Sequence, residues 1–218
     1  MDVELVAITP DAEAVIERAA RTCYQSADRA TTDSAAAFLP KLLAMGHESP
    51  FEHAYATFRI AGCSRAASHQ LVRHRLMAVS QRSQRYVSEK SFDYVVPPSV
   101  PDSLRGEFEA DMESIRQLYV KWKSYGLRNE DARFVLPNAC TTELVISANF
   151  REFRHIFKVR LTPHAQWEIR AICRQMLESL AREAPTVFRD IREAAIKADP
   201  QRSDEAEGAP RGKASRHQ

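Results

Sequence analysis

The chain has 218 residues, enough for one well-buried domain and short for two. Hydrophobic residues make up 44% and charged residues 28%, which excludes a chain disordered throughout. The net charge of +2 lacks the positive bias of a dedicated nucleic-acid binder, so any anion site must be local.

Val3 to Ile8 alternates acidic and apolar residues as a half-buried first strand does. Thr9-Pro10-Asp11 then offers a cap, a proline at the first helical position and an early acid, predicting a helix to about Tyr24. Asp33 can cap a second helix through Met45, with Pro40 inside it and Gly46 as the stop. Ala54 to Ile60 alternates as a strand. Ser64 to Arg75 lacks glycine and proline and reads as a helix, and Ser80 to Ser83 reads as a polar turn leading into extended chain through Val96. Pro97, Pro98 and Pro101 mark a linker, and a long helix follows from Asp102 to Tyr125. Asn129 caps a short helix ending before Pro137, and Thr142 to Ser147 is a strand candidate. Phe150 to Leu161, Ala165 to Arg182 and Pro185 to Lys197 are helical. Residues 199–218 carry almost nothing apolar and read as a disordered polar tail after a single domain of residues 1–198. With no glycine-rich strand-turn-helix fingerprint, this order predicts an α+β fold, a mixed sheet with packed helices.

Cys23, Cys63, Cys140 and Cys173 form no C-x-x-C pair, so reduced thiols are expected. Met1 to Pro10, with Asp2 and Glu4, resembles neither a signal nor a transit peptide. No run reaches the roughly 18 apolar residues of a membrane helix. A soluble, cytoplasmic protein is expected. His47 and His53 flank Pro50 and do not fit the helical two-histidine zinc spacing, so no metal is expected.

Between His53 and Ser88 there is no Asp or Glu, yet Arg59, Arg65, Arg73, Arg75, Arg82 and Arg85 all fall there. At helical spacing Gln70, Arg73 and His74 share a face, and Ser80, Gln81, Arg82, Ser83, Gln84 and Arg85 offer a polar loop of phosphate-reaching donors. A solvated basic surface is the competing reading, and crowding without internal counter-charge speaks against it. A non-enzymatic RNA binder would interleave stacking aromatics, which this stretch lacks until Tyr86. Further on, Phe150, Phe153, Phe157 and Leu161 form an apolar stripe, and a helical wheel places Arg160 within it. A guanidinium there must meet either a carboxylate, for example Glu168, or an anionic ligand. Arg151 and His155 fall on the opposite face.

Arg73-His74-Arg75, seven residues and then Ser83-Gln84-Arg85-Tyr86 resemble the signature of flavin-dependent thymidylate synthases. Cys23 to Ser26, Gly46 to His53, Ala132 to Asn138 and His164 to Ile169 resemble further blocks of that family in the same order. The resemblance implies a homotetramer with sites where subunits meet, holding FAD, dUMP, methylenetetrahydrofolate and NADPH, and a reductive methylation of dUMP to dTMP. By position it implies FAD contacts at Ser49, Arg73, His74, Arg75, Gln81, Asn149, Arg151 and His155. It implies dUMP contacts at Gln70, Arg73, Gln81, Ser83, Gln84, Arg85, Arg133 and Arg160, with Arg160 the catalytic group that stabilises charge on the uracil. Gln81 stands where some members have Glu, and Ser80 and His155 where some have Asn.

Overall fold

The computed structural model describes residues 1–198, so the expectation of a disordered tail lies outside the described residues. The chain begins with strand β1 (Asp2–Ile8), helix α1 (Ala12–Cys23) and helix α2 (Ser34–Ala44). Strand β2 (Tyr55–Ser64), the short helix α3 (Arg65–Leu71) and strand β3 (Met77–Gln81) follow. Then come α4 (Asp102–Ser124), α5 (Asn129–Ala132) and β4 (Thr141–Asn149). Three helices complete the order, α6 (Phe150–Arg160), α7 (Trp167–Glu183) and α8 (Pro185–Lys197).

The strands form one sheet in the order β1-β2-β4-β3, and every pairing is antiparallel. The expected mixed sheet is therefore corrected to an antiparallel one within an α+β fold. Alternation puts Ala56, Phe58 and Ile60 of β2 and Leu144, Ile146 and Ala148 of β4 on one buried face. Phe58 lies opposite Ile146 and Ile60 opposite Leu144, so the two central strands present a continuous apolar surface. Helix α7 packs on it through the core residues Ile169, Ile172, Cys173 and Met176. Helix α6 adds Phe153 edge-on to Phe58, with ring centroids 5.5 Å apart. A bulge interrupts β2 between Ala61 and Cys63, where Gly62 takes a φ of 73° that a side chain would strain.

Several local expectations change: the chain expected to be extended through Val96 is largely turns and irregular chain, and Asn129 lies inside α5 with Arg128 before it. Thr9 does not cap α1: its hydroxyl accepts the Tyr55 N–H at 2.9 Å, and Asp11 takes the position before the helix with a φ of 47°. Asp33 precedes α2 without a side-chain cap bond, and Ser34 Oγ instead accepts the Thr31 N–H at 2.8 Å. Helix α3 ends at Leu71, before Arg73 and His74, so these do not continue a helical face from Gln70. Ser80 and Gln81 are not in a turn but in edge strand β3, pairing with Val145 and Leu144. Tertiary pairing outweighs weak local propensity in such a short segment. Among the described residues no helix is long and apolar enough to cross a membrane.

Candidate functional site

Helix α6 begins at a capping Asn149, whose Oδ1 accepts the Glu152 N–H at 2.9 Å. Its core stripe is Phe150, Phe153, Ile156 and Phe157, while Arg151 and His155 are exposed, as the wheel predicts. Arg154 is buried as well, and its guanidinium meets Asp190 with N–O distances of 2.8 and 2.6 Å. Arg160, at the far end, is half-buried and meets no carboxylate among the described residues. Its Nε–H donates to His74 Nε2 at 3.0 Å, and its terminal nitrogens reach the Gln70 carbonyl at 3.0 Å and Gln70 Oε1 at 3.5 Å. The alternative of an Arg160–Glu168 pair is not what the fold makes.

His74 is buried, and burial, followed by the Arg160 charge and then His155, pulls its pKa down to about 4. The ring is therefore neutral near pH 7, and because Nε2 accepts from Arg160 the proton belongs on Nδ1. Nδ1 faces the buried carboxyl of Glu152 at 3.8 Å, long for a direct hydrogen bond. Burial pushes the Glu152 pKa up, against the pull of His155. His155 stands edge-on to His74 with ring centroids 5.8 Å apart.

A second group lies on the other side of α3. A cleft of about 250 Å³ is lined by Arg65, His69, Gln84, Arg133, Phe134 and Asn138, among others. Burial, then the like charge of Arg133, lowers the Arg65 pKa, so two guanidiniums share this cleft under mutual repulsion. Arg133 spends its Nε–H on the Glu130 carbonyl at 3.1 Å. In the adjoining loop Ser83 Oγ accepts the Arg85 N–H at 3.2 Å, which leaves the serine's own hydrogen free to donate. The Arg85 side chain pairs with Glu130 at 2.9 Å.

The remaining predicted residues are dispersed. Ser49 and Arg151 line a different cleft of about 390 Å³ with Cys23, Tyr24, His47 and Glu48. There Arg151 is engaged by Glu52 and, at 3.7 Å, by Glu48. Arg73 and Arg75 are exposed and make no ion pair among the described residues. Gln81 donates both amide hydrogens inward, to Ser68 Oγ at 3.0 Å and Thr142 Oγ1 at 3.1 Å. The acid-free stretch thus finds counter-charge from elsewhere in the chain for some of its arginines, Arg59 with Glu143, Arg82 with Glu89 and Arg85 with Glu130; Arg65 feels the Glu89 charge without an ion pair to it, and Arg73 and Arg75 make no ion pair among the described residues. Sequence reasoning counted Arg65 in the acid-free basic stretch without giving it a ligand contact, and did not single out His69 or Glu152. The i, i+4 spacing of Arg65 and His69 on α3 was the available signal for the first two, whereas nothing local marks Glu152 as a neighbour of His74.

Comparison with known proteins adds to this geometry. The family model described as thymidylate synthase complementing protein matches residues 4–186. A flavin-dependent thymidylate synthase of Geobacter sulfurreducens is 45% identical over 200 residues, spanning 87% of this chain and 86% of the relative. One from Clostridium tetani is 36% identical over 211 residues, spanning 86% of this chain and 85% of the relative. The crystal structure of thymidylate synthase X from Helicobacter pylori with FAD and dUMP superposes with a TM-score of 0.77 at 23% identity, covering 88% of this chain and 99% of that one, a likeness of fold.

Proposed function

The chain belongs to the flavin-dependent thymidylate synthase family, and from that premise we propose that it binds FAD and dUMP and converts dUMP to dTMP, methylenetetrahydrofolate supplying the carbon and NADPH the hydride. The observation that carries this reading is Arg160, a half-buried guanidinium held by the Gln70 carbonyl and a neutral imidazole, with no carboxylate among the described residues to cancel its charge. A fixed cation in a partly dry site stabilises negative charge developing on a uracil ring. His74 aims it and, being neutral, does not repel it as an imidazolium would.

The residues present fit a flavin dinucleotide. Arg73 and Arg75, without an ion pair among the described residues, are cations suited to a pyrophosphate, and Ser49, His155 and Arg151 add exposed donors. Asn149 keeps its amide N–H groups for a ligand, its oxygen being spent on the α6 cap. FAD when bound supplies the redox chemistry. For dUMP, Arg133, Gln84 and the free Ser83 hydroxyl address the phosphate, and the geometry adds Arg65 to them. Arg85 joins by exchanging Glu130 for the phosphate, an easy exchange because exposed ion pairs contribute little.

The dispersal of these residues over different clefts supports sites completed by neighbouring subunits, and the proposal includes the family's homotetramer and a cytoplasmic location. The test is direct: purify the protein, determine its mass in solution, look for flavin colour, titrate with dUMP while following the flavin spectrum, and assay dTMP with both co-substrates. A colourless monomer that FAD does not reconstitute would sink the proposal.

A further inference from the structure

Gln81 carries an amide whose two ends have opposite hydrogen-bonding character, and its neighbours decide which end faces outward. Ser68 is fully buried on α3, and its hydroxyl donates to the Arg65 carbonyl at 3.0 Å. With its single hydrogen spent, Ser68 Oγ can only accept, so the group opposite it at 3.0 Å must be the Gln81 N–H. The second amide hydrogen goes to Thr142 Oγ1 at 3.1 Å, on buried Thr142 of β4. Both donors are consumed inside the chain. Gln81 is partly exposed, and its Oε1 takes no hydrogen bond among the described residues.

We propose that Ser68 and Thr142 are positioning residues that lock Gln81 as a hydrogen-bond acceptor, making it a reader of ring imide N–H groups in the bound ligands. Resting on the function proposed above, this gives the position a definite polarity. Clamped in this way, the glutamine offers what a carboxylate would, an acceptor without a donor, and does so without bringing a negative charge to the position. Uracil and the flavin ring both carry an N–H flanked by carbonyls, whereas cytosine presents a ring nitrogen acceptor there. An acceptor that cannot turn over therefore favours dUMP over dCMP, since the wrong base leaves two lone pairs face to face.

The test uses the flavin-loaded full-length protein and the variants Thr142→Val, nearly isosteric and lacking the hydroxyl, Ser68→Ala, and Thr142→Val combined with Gln81→Glu. Affinities for dUMP, dCMP and FAD are measured alongside melting temperature, and exchange of the Gln81 side-chain amide protons is followed by NMR. In the wild type those protons exchange slowly, and in Thr142→Val they exchange faster while the affinity for the imide-bearing ligand falls by about three- to tenfold, the scale of one net hydrogen bond. Loss of dUMP affinity and of dUMP-over-dCMP preference identifies the nucleotide as the ligand read, and loss of FAD affinity alone identifies the flavin. Gln81→Glu restores the affinity in the Thr142→Val background, which a packing defect would not allow. Fast amide exchange in the wild type overturns the proposal even if the protein binds neither ligand, the result that would end the thymidylate synthase reading. Unchanged affinities and discrimination in both single variants overturn it as well.

Discussion

The carboxylate of Glu168 closes on Ser64, one oxygen accepting the Ser64 N–H at 2.6 Å and the other the Ser64 hydroxyl at 2.5 Å. Ser64 Oγ in turn accepts the Ala67 N–H at 3.0 Å, so the start of α3 is tied to α7 through buried, charge-assisted bonds. The same carboxylate, thus engaged, is withheld from Arg160. A structural ion pair is absent where the sequence permitted one, and the free charge remains at the end of α6.

Arg160→Ala is accordingly expected to slow dTMP formation by about 10²–10³, or roughly 2.7–4 kcal/mol, as loss of a preorganised charge stabiliser does. Flavin content should change little and the melting temperature should fall only modestly, because the change leaves the buried His74 Nε2 without its donor but orphans no carboxylate among the described residues. Arg160→Lys keeps the charge without the planar fork and should restore little. Measuring all three quantities on one preparation decides the matter, and a stable, yellow Arg160→Ala protein with normal turnover would defeat the assignment.

Arg65 and Arg133 repel each other across their cleft, which couples stability and binding in opposite directions. Arg65→Met should raise the melting temperature of the ligand-free protein and weaken dUMP binding by roughly 10- to 100-fold, the loss of a hydrogen bond to a charged group at about 1.5–3 kcal/mol. Calorimetric titration and a melting curve check both signs. A lower melting temperature with unaltered dUMP affinity would mean that Arg65 is a structural residue.

The depressed pKa of His74 has a stability consequence. Unfolded, the imidazole titrates near its ordinary 6.5, and folded near 4, so the folded chain binds fewer protons between these values. Its contribution is complete above about pH 6.5 and is lost as the pH falls toward 4. Glu152, with its raised pKa, acts in the opposite sense, while Arg160 and His155 are the other charged or titratable groups facing the ring. His74→Gln should therefore flatten the fall in melting temperature over this window, and equal slopes in both proteins would contradict the burial argument.

Thiol chemistry offers a check on the core. Burial is the first cause lifting Cys63 to about 11, Cys140 to about 12 and Cys173 to about 12, whereas Cys23 is exposed. A thiol reagent at neutral pH should label Cys23 quickly and the other three only on unfolding. Mass spectrometry after brief labelling tests this, and prompt modification of Cys173 would be incompatible with its place under the sheet.

Much was legible in the sequence. The α4 and α8 helices, the apolar stripe of α6 and the half-burial of Arg160 were all written in periodicity, because a long amphipathic segment carries its own record of which face meets the core. Likewise Pro40 lies inside α2 and Gly46, with a φ of 73°, follows its end, as expected of them, since these roles depend on backbone geometry alone. The family blocks, spread from Cys23 to Ile169, pointed to the function because they are ordered strings of residue types rather than a single motif.

Other features had no local signature. A run of arginines looked uniformly unpaired, yet Arg59, Arg82 and Arg85 find acids at Glu143, Glu89 and Glu130, two of these from a different part of the chain. Edge strand β3 takes its conformation from pairing with β4, and α3 ends at Leu71, after which the chain brings His74 to Arg160. The acceptor polarity of Gln81 depends on hydroxyls supplied by α3 and β4. Composition and periodicity by themselves determined most of the longer helices and the central strands, which faces are apolar and which side chains can bind anions, because those properties follow from backbone chemistry and side-chain type. Only the tertiary structure decided which charges stay uncompensated and which way each donor points, because a hydrogen bond or an ion pair acts over a few ångströms and its partners are set by the path of the folded chain.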